Sequence, residues 1–162
     1  MARASSAATA HTWWRHVLPP VGLQRILGAV AAAALGLDSY VHLHDAGFYD
    51  AVKTSVISQG TLFRMQGALA AATGLALLVR PSRLWWSAAF IVAVSAFGAV
   101  LLYRYVDVGP LGPIPNMYEP TWAPPGKLPS AWAEGAAAIL TAAGFLNAGA
   151  KPTWRHQRWN HR

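Results

Sequence analysis

The sequence predicts an all-α integral membrane four-helix bundle with both termini cytoplasmic. Three observations carry that prediction. Charged residues make up only 12% of the 162 positions while apolar residues make up 54%, whereas soluble domains carry about 25% charged residues. The apolar residues are concentrated in four segments of near-membrane length, and mean hydropathy is +0.29. The basic residues collect in alternate connections rather than evenly along the chain.

Residues 1–22 read as a polar cytoplasmic arm, with Arg3, Arg15, His11 and His16 ahead of Pro19 and Pro20. The transmembrane domain is expected over residues 23–146, and a basic cytoplasmic tail over 147–162. The first span is expected at about 23–42, apolar through its middle and rich in small residues. The second, at about 61–79, is closed by Arg80-Pro81-Ser82-Arg83. The third, at about 84–106, is the most hydrophobic, and the fourth, at about 130–146, is the shortest and richest in alanine. About 20 residues at 1.5 Å each cross roughly 30 Å of hydrocarbon. Helix is the form that satisfies every peptide group in lipid, since four segments cannot close a barrel.

Orientation follows from charge. The N-terminal arm with Arg25, the connection with Arg80 and Arg83, and the tail with Lys151, Arg155, Arg158 and Arg162 hold nine of the thirteen basic residues. The positive-inside rule puts these regions in the cytoplasm and predicts a multi-pass protein of the plasma membrane. That distribution accounts for the net charge of +7, so nucleic acid is not an expected partner and the lipid bilayer is. The tryptophans fit an interfacial belt, with Trp13, Trp14, Trp85, Trp86, Trp154 and Trp159 at the inner face and Trp122 and Trp132 at the outer. Gly28, Ala32 and Gly36, then Gly67 and Ala71, form small-residue ridges expected to let helices pack closely or to support self-association.

All six acids, Asp38, Asp45, Asp50, Asp107, Glu119 and Glu134, fall on the outer side or in the outer part of a span. Asp38, His42 and Asp45 share one helical face by spacing, and Arg64, Arg104 and Glu134 come to about the same depth. Three readings of this cluster stand open. In the first, Asp38, Arg64, Arg104 and Glu134 form structural ion pairs, because intramembrane charges normally pair; an acid in the first turn of the fourth span is also favoured by the helix dipole. In the second, Asp38 and His42, with Asp45 or Glu134, hold copper, zinc or iron, for which imidazole and carboxylate are suitable ligands. The D-x-x-x-H spacing resembles a two-residue element of membrane-embedded copper monooxygenases. In the third, Asp38 and His42 belong to a proton or ion pathway, although only Gln66 offers a polar step toward the inner half.

Residues 107–129 carry seven of the eleven prolines, which excludes regular structure there. Its apolar content predicts an ordered lid over the outer mouth, with Met117, Tyr118, Glu119 and Trp122 as its working residues, and the loop at 45–60 completing it. There is no cysteine, which removes disulfides, thiolate metal sites and cysteine nucleophiles. No nucleophile-elbow, zinc-protease, P-loop or dinucleotide motif is present, so no catalytic residue is expected.

His42-Leu43-His44, Gly60-Thr61-Leu62-Phe63, the run from Tyr103 to Pro113 and the run from Asn116 to Trp122 together resemble a group of small four-span membrane proteins of actinobacteria. The resemblance covers about residues 23–146. It implies the fold and the membrane location, and no activity. The functional expectation is an accessory or binding component of a membrane assembly, working on its outer face alongside other membrane subunits. A metal-binding redox protein using Asp38 and His42 is the alternative, and an ion-pathway component the second alternative.

Overall fold

The computed structural model describes residues 20–149. They form four helices: α1 (Pro20–Asp45), α2 (Gln59–Val79), α3 (Arg83–Tyr105) and α4 (Lys127–Ala148). The chain is all-helical, and Gly22–Asp45, Gln59–Val79 and Arg83–Tyr105 are each long and apolar enough to cross a membrane. The expected inner-arm positions Trp13, Trp14, Trp154 and Trp159 lie outside the described residues.

Helix starts follow local chemistry. Ser58 and Ser82 sit in extended backbone ahead of α2 and α3, and their hydroxyls accept from Thr61 N–H and Trp85 N–H. Each thereby satisfies a peptide donor that the first turn leaves open. The start of α4 differs from the sequence expectation by three residues. Pro129 lies inside its first turn, where a missing N–H costs nothing, so the proline-rich segment ends at Gly126 rather than at 129. Glu134 therefore sits two turns into α4, and the helix dipole gives no account of it. Gly126 has φ of 83°, and a Cβ there would run into Asp45 and Val41. Both facts call for glycine at the point where α4 begins against the end of α1.

Helices α1 and α2 pack most closely, α4 lies against both α1 and α3, and α2 and α3 meet over a smaller contact. Gln24 near the start of α1 donates to the Gly144 carbonyl near the end of α4, at 3.1 Å. Gly28 faces the Leu77 carbonyl near the end of α2. The start of α1, the end of α2, the start of α3 and the end of α4 thus share one end of the bundle, here the terminal end. The loops 46–58 and 106–126 cap the other, the loop end.

The core is built from Ala31, Leu35, Ala70, Leu77, Trp86, Ala89, Ala93 and Ala137. Five alanines let the backbones approach closely, which suits helices associating in lipid by van der Waals packing. The expected ridges hold in part: Gly28 and Ala32 face α2 and Gly67 faces α1, joined there by Gly74, which was not among the expected positions, but Gly36 has no neighbour and points outward. Trp86 corrects the expected tryptophan belt. It is fully buried, with its indole N–H donating to Gln24 Oε1 at 2.8 Å. The outward faces of all four helices carry large aliphatic side chains, among them Leu75, Ile91, Ile139 and Leu146. Apolar exposure on that scale marks a surface made for another apolar phase.

Candidate functional site

Asp38, His42 and Glu134 converge inside the loop-end half of the bundle. Asp38 and His42 stand one turn apart on the buried face of α1, as their spacing predicts. Glu134 reaches them from α4. The Asp38 carboxylate is fully buried and lies 2.8 Å from His42 Nδ1. It also accepts from Gln66 Nε2 at 3.0 Å and from Ser130 Oγ at 3.2 Å. Ser130 Oγ lies 2.8 Å from Glu134 Oε1, too. One hydroxyl carries one proton, so Ser130 bridges two carboxyl groups with a single donor. His42 Nε2 stands 3.9 Å from Glu134 Oε1, and the ring packs edge-on against Phe63 at 4.9 Å. The remaining oxygen of Glu134 is buried and has no partner among the described residues.

The expected ion-paired cap does not form. Arg64 turns away from Asp38 and grips Asp50 in the first loop through two bonds of 2.8 and 2.7 Å. The reason is directional: Cβ atoms lean toward a helix N-terminus, and the N-terminus of α2 faces that loop. The Arg104 guanidinium lies over the rings of Tyr105 and Trp122 at 5.0 and 5.5 Å. Its buried Nε has no partner. Among the described residues, neither arginine pairs with Asp38 or Glu134. Asp45 also stays apart from the trio; it ends α1 beside Gly126.

Beside the cluster lies a cavity of about 510 Å³, in the wedge between the first turns of α2 and the last turns of α3. The three-residue connection 80–82 holds these helices together at the terminal end, and no such tie acts at the loop end. Leu62, Phe63, Ala96, Ala99, Val100 and Tyr103 give the cavity apolar walls, and His42, Gln66, Ser130 and Glu134 form its polar side.

The lid is ordered. Asp107 Oδ1 accepts from Gly109 N–H and Asn116 Nδ2, and Asn116 Oδ1 accepts from Tyr118 N–H. Glu119 N–H donates to the Tyr103 carbonyl at 2.9 Å, and Lys127 Nζ donates to the Glu119 carbonyl at 2.6 Å. The first loop joins it, as Thr54 Oγ1 donates to the Pro113 carbonyl at 2.6 Å and the Tyr49 hydroxyl to Glu119 Oε2 at 3.2 Å. Burial, and then the Glu119 carboxylate, push the Tyr49 phenol up to about 12. Of the predicted lid residues, Met117 and Glu119 face the cavity, Trp122 covers Arg104 and Lys127, and Tyr118 is exposed.

Ser130 and Gln66 are the members of the site that the sequence undersold. Ser130-x-x-x-Glu134 has the same one-turn spacing as Asp38-x-x-x-His42, which places both on one face of α4. No family model, curated protein or solved structure matches the chain.

Proposed function

We propose that this chain is a multi-pass plasma-membrane protein that works as a binding component, taking a small, largely apolar ligand into the cavity at the outer end of its bundle. The observation that carries this reading is the cavity itself: apolar walls, one polar side with an imidazole and a carboxyl group, and a position in the wedge between two membrane-crossing helices. Concave, mostly apolar sites with a few convergent polar groups are the usual form of small-molecule sites. The reading takes α4 as the fourth crossing. Its 22 residues reach about 33 Å at 1.5 Å each, and it lies between two apolar spans with Ile139 and Leu146 outward. The basic residues at the terminal end support a cytoplasmic side for that end under the positive-inside rule, with the lid outside, where it would serve a ligand or a neighbouring subunit.

Native mass spectrometry of protein released from micelles tests the cavity. One small molecule per chain is expected on the wild type and a clearly lower occupancy on Ala99→Trp, which narrows the space; bare spectra for both would refute the reading. The absence of native cysteine makes the topology directly testable. In intact cells an impermeant maleimide is expected to label Ser55→Cys and to spare Arg158→Cys, and the reverse pattern would invert the bundle.

A further inference from the structure

We propose that Asp38, His42 and Glu134 form a site for one divalent transition-metal ion, with zinc or iron(II) as the fitting class. One donor atom from each residue lies within 4.8 Å of the other two. Ligands at about 2.0–2.1 Å from a tetrahedral zinc stand about 3.4 Å apart, so binding draws the three donors together. The second observation is Glu134 itself, only 2% exposed, with one carboxyl oxygen buried and unpartnered. A buried acceptor of that kind calls for an explanation.

Charge supplies that explanation. In the deprotonated state that ligation requires, two carboxylates and one neutral imidazole sum to minus two, and among the described residues neither Arg64 nor Arg104 pairs with them. A divalent ion makes the group neutral, which is how buried carboxylates are commonly accommodated. The donors are one nitrogen and carboxylate oxygens, with no thiolate in the chain, a set that suits zinc or iron(II) and not copper(I). The supporting bonds are also those of a metal centre. His42 Nδ1 lies 2.8 Å from Asp38 Oδ1 and 3.1 Å from the Asp38 carbonyl, so a proton on Nδ1 is held by Asp38 and leaves Nε2, the nitrogen facing Glu134, free to ligate. Gln66 and Ser130 hold the Asp38 carboxylate from two further helices. Such outer partners fix ligand orientation. The three protein ligands leave a fourth position that opens toward the cavity, the arrangement of zinc sites that bind exchangeable molecules.

This inference is independent of what fills the cavity, and its test keeps the two apart. Full-length protein in detergent is titrated with cobalt(II), whose d–d absorption reports coordination, and the cobalt is then displaced with zinc. One cobalt per chain is expected, with zinc displacing it and raising the thermal unfolding midpoint. Glu134→Gln preserves shape and is expected to weaken binding by about 100-fold or more, at or beyond the 10–100-fold typical of outer partners. His42→Ala is expected to abolish the nitrogen-ligated spectrum. Zinc should leave the midpoint of Glu134→Gln unchanged, a readout that also shows the variant is folded. Ala99→Trp is expected to keep the cobalt spectrum even where it loses a cavity ligand. Replacing His11, His16, His156 and His161 with alanine should leave binding intact. Binding that vanishes with those four, or that survives both Glu134→Gln and His42→Ala, would overturn the proposal.

Discussion

The two ends of this bundle solve the same problem with opposite materials. At the terminal end, the space between helices is filled by one large side chain. Trp86 is wholly buried, its indole N–H is satisfied by Gln24, and Gly144 leaves room for its ring, since a Cβ there would come within 2.5 Å of it. At the loop end the same helices enclose a cavity of about 510 Å³ with an acid–imidazole cluster on one side. The packed end has one polar chain of bonds, from Trp86 through Gln24 to Gly144, and each donor in it has a carbonyl acceptor. The open end leaves a carboxyl oxygen and a guanidinium nitrogen buried without partners. Close packing and open space are therefore separated along the length of the helices, and departures from the packing rules that the rest of a fold obeys are where functional sites are expected.

The largest test of that separation removes the packed end. Trp86→Ala should cost on the order of 3–5 kcal/mol, as large-to-small changes at buried tryptophan do, and should lower the thermal midpoint in detergent steeply. A near-neutral result would mean that the terminal end is no more tightly packed than the loop end. A paired substitution sharpens the contrast on a single helix. Ala89 is fully buried beside Trp86, and Ala99 faces the cavity. Ala89→Phe should destabilise by about 1–3 kcal/mol through overpacking, while Ala99→Phe should change stability little because the space already exists. Equal losses at both positions would show that the wedge between α2 and α3 closes in the membrane.

These contrasts also mark what the sequence made legible. The four helices and the ends of the second and third were visible because long apolar runs separated by Arg-Pro or loop residues have few alternatives in lipid, whereas α1 runs three residues further at each end than expected. The pairing of Asp38 with His42 was visible because it depends on helical spacing alone. The remainder depended on contacts between distant segments. Trp86 looked interfacial beside Trp85, and only the pocket left by Gly144 on α4 reveals that it turns inward. Glu134 seemed to belong to a first turn because Pro129 was read as a loop residue. The expected ion pairs do not form because equal depth does not fix direction: Arg64 leans toward the loop and finds Asp50 there. Ser130 passed unnoticed because a lone serine carries no charge to draw attention, yet it is the group that ties the two buried carboxyls together.

The smallest expected effect lies at the rim, where an acid did find its arginine. Asp50 and Arg64 are both about half exposed, and the guanidinium, with help from the Ser58 hydroxyl, holds the Asp50 carboxyl below the usual range. A carboxyl depressed in the folded state contributes stability that is present above its unfolded value, about 3.9, and is lost as pH falls through the lower folded value. The contribution should be small and salt-sensitive, because exposed pairs are screened. Thermal midpoints of the wild type and Asp50→Asn, compared at neutral pH and near pH 3 in low and high salt, isolate it. The difference between the two proteins should be greatest at neutral pH and low salt, and should shrink as acid or salt is added. A difference that persisted unchanged at high salt would mean that this pair behaves as a buried one. The contrast between a solvated, arginine-matched rim and an interior cluster without a matching cation would then fail.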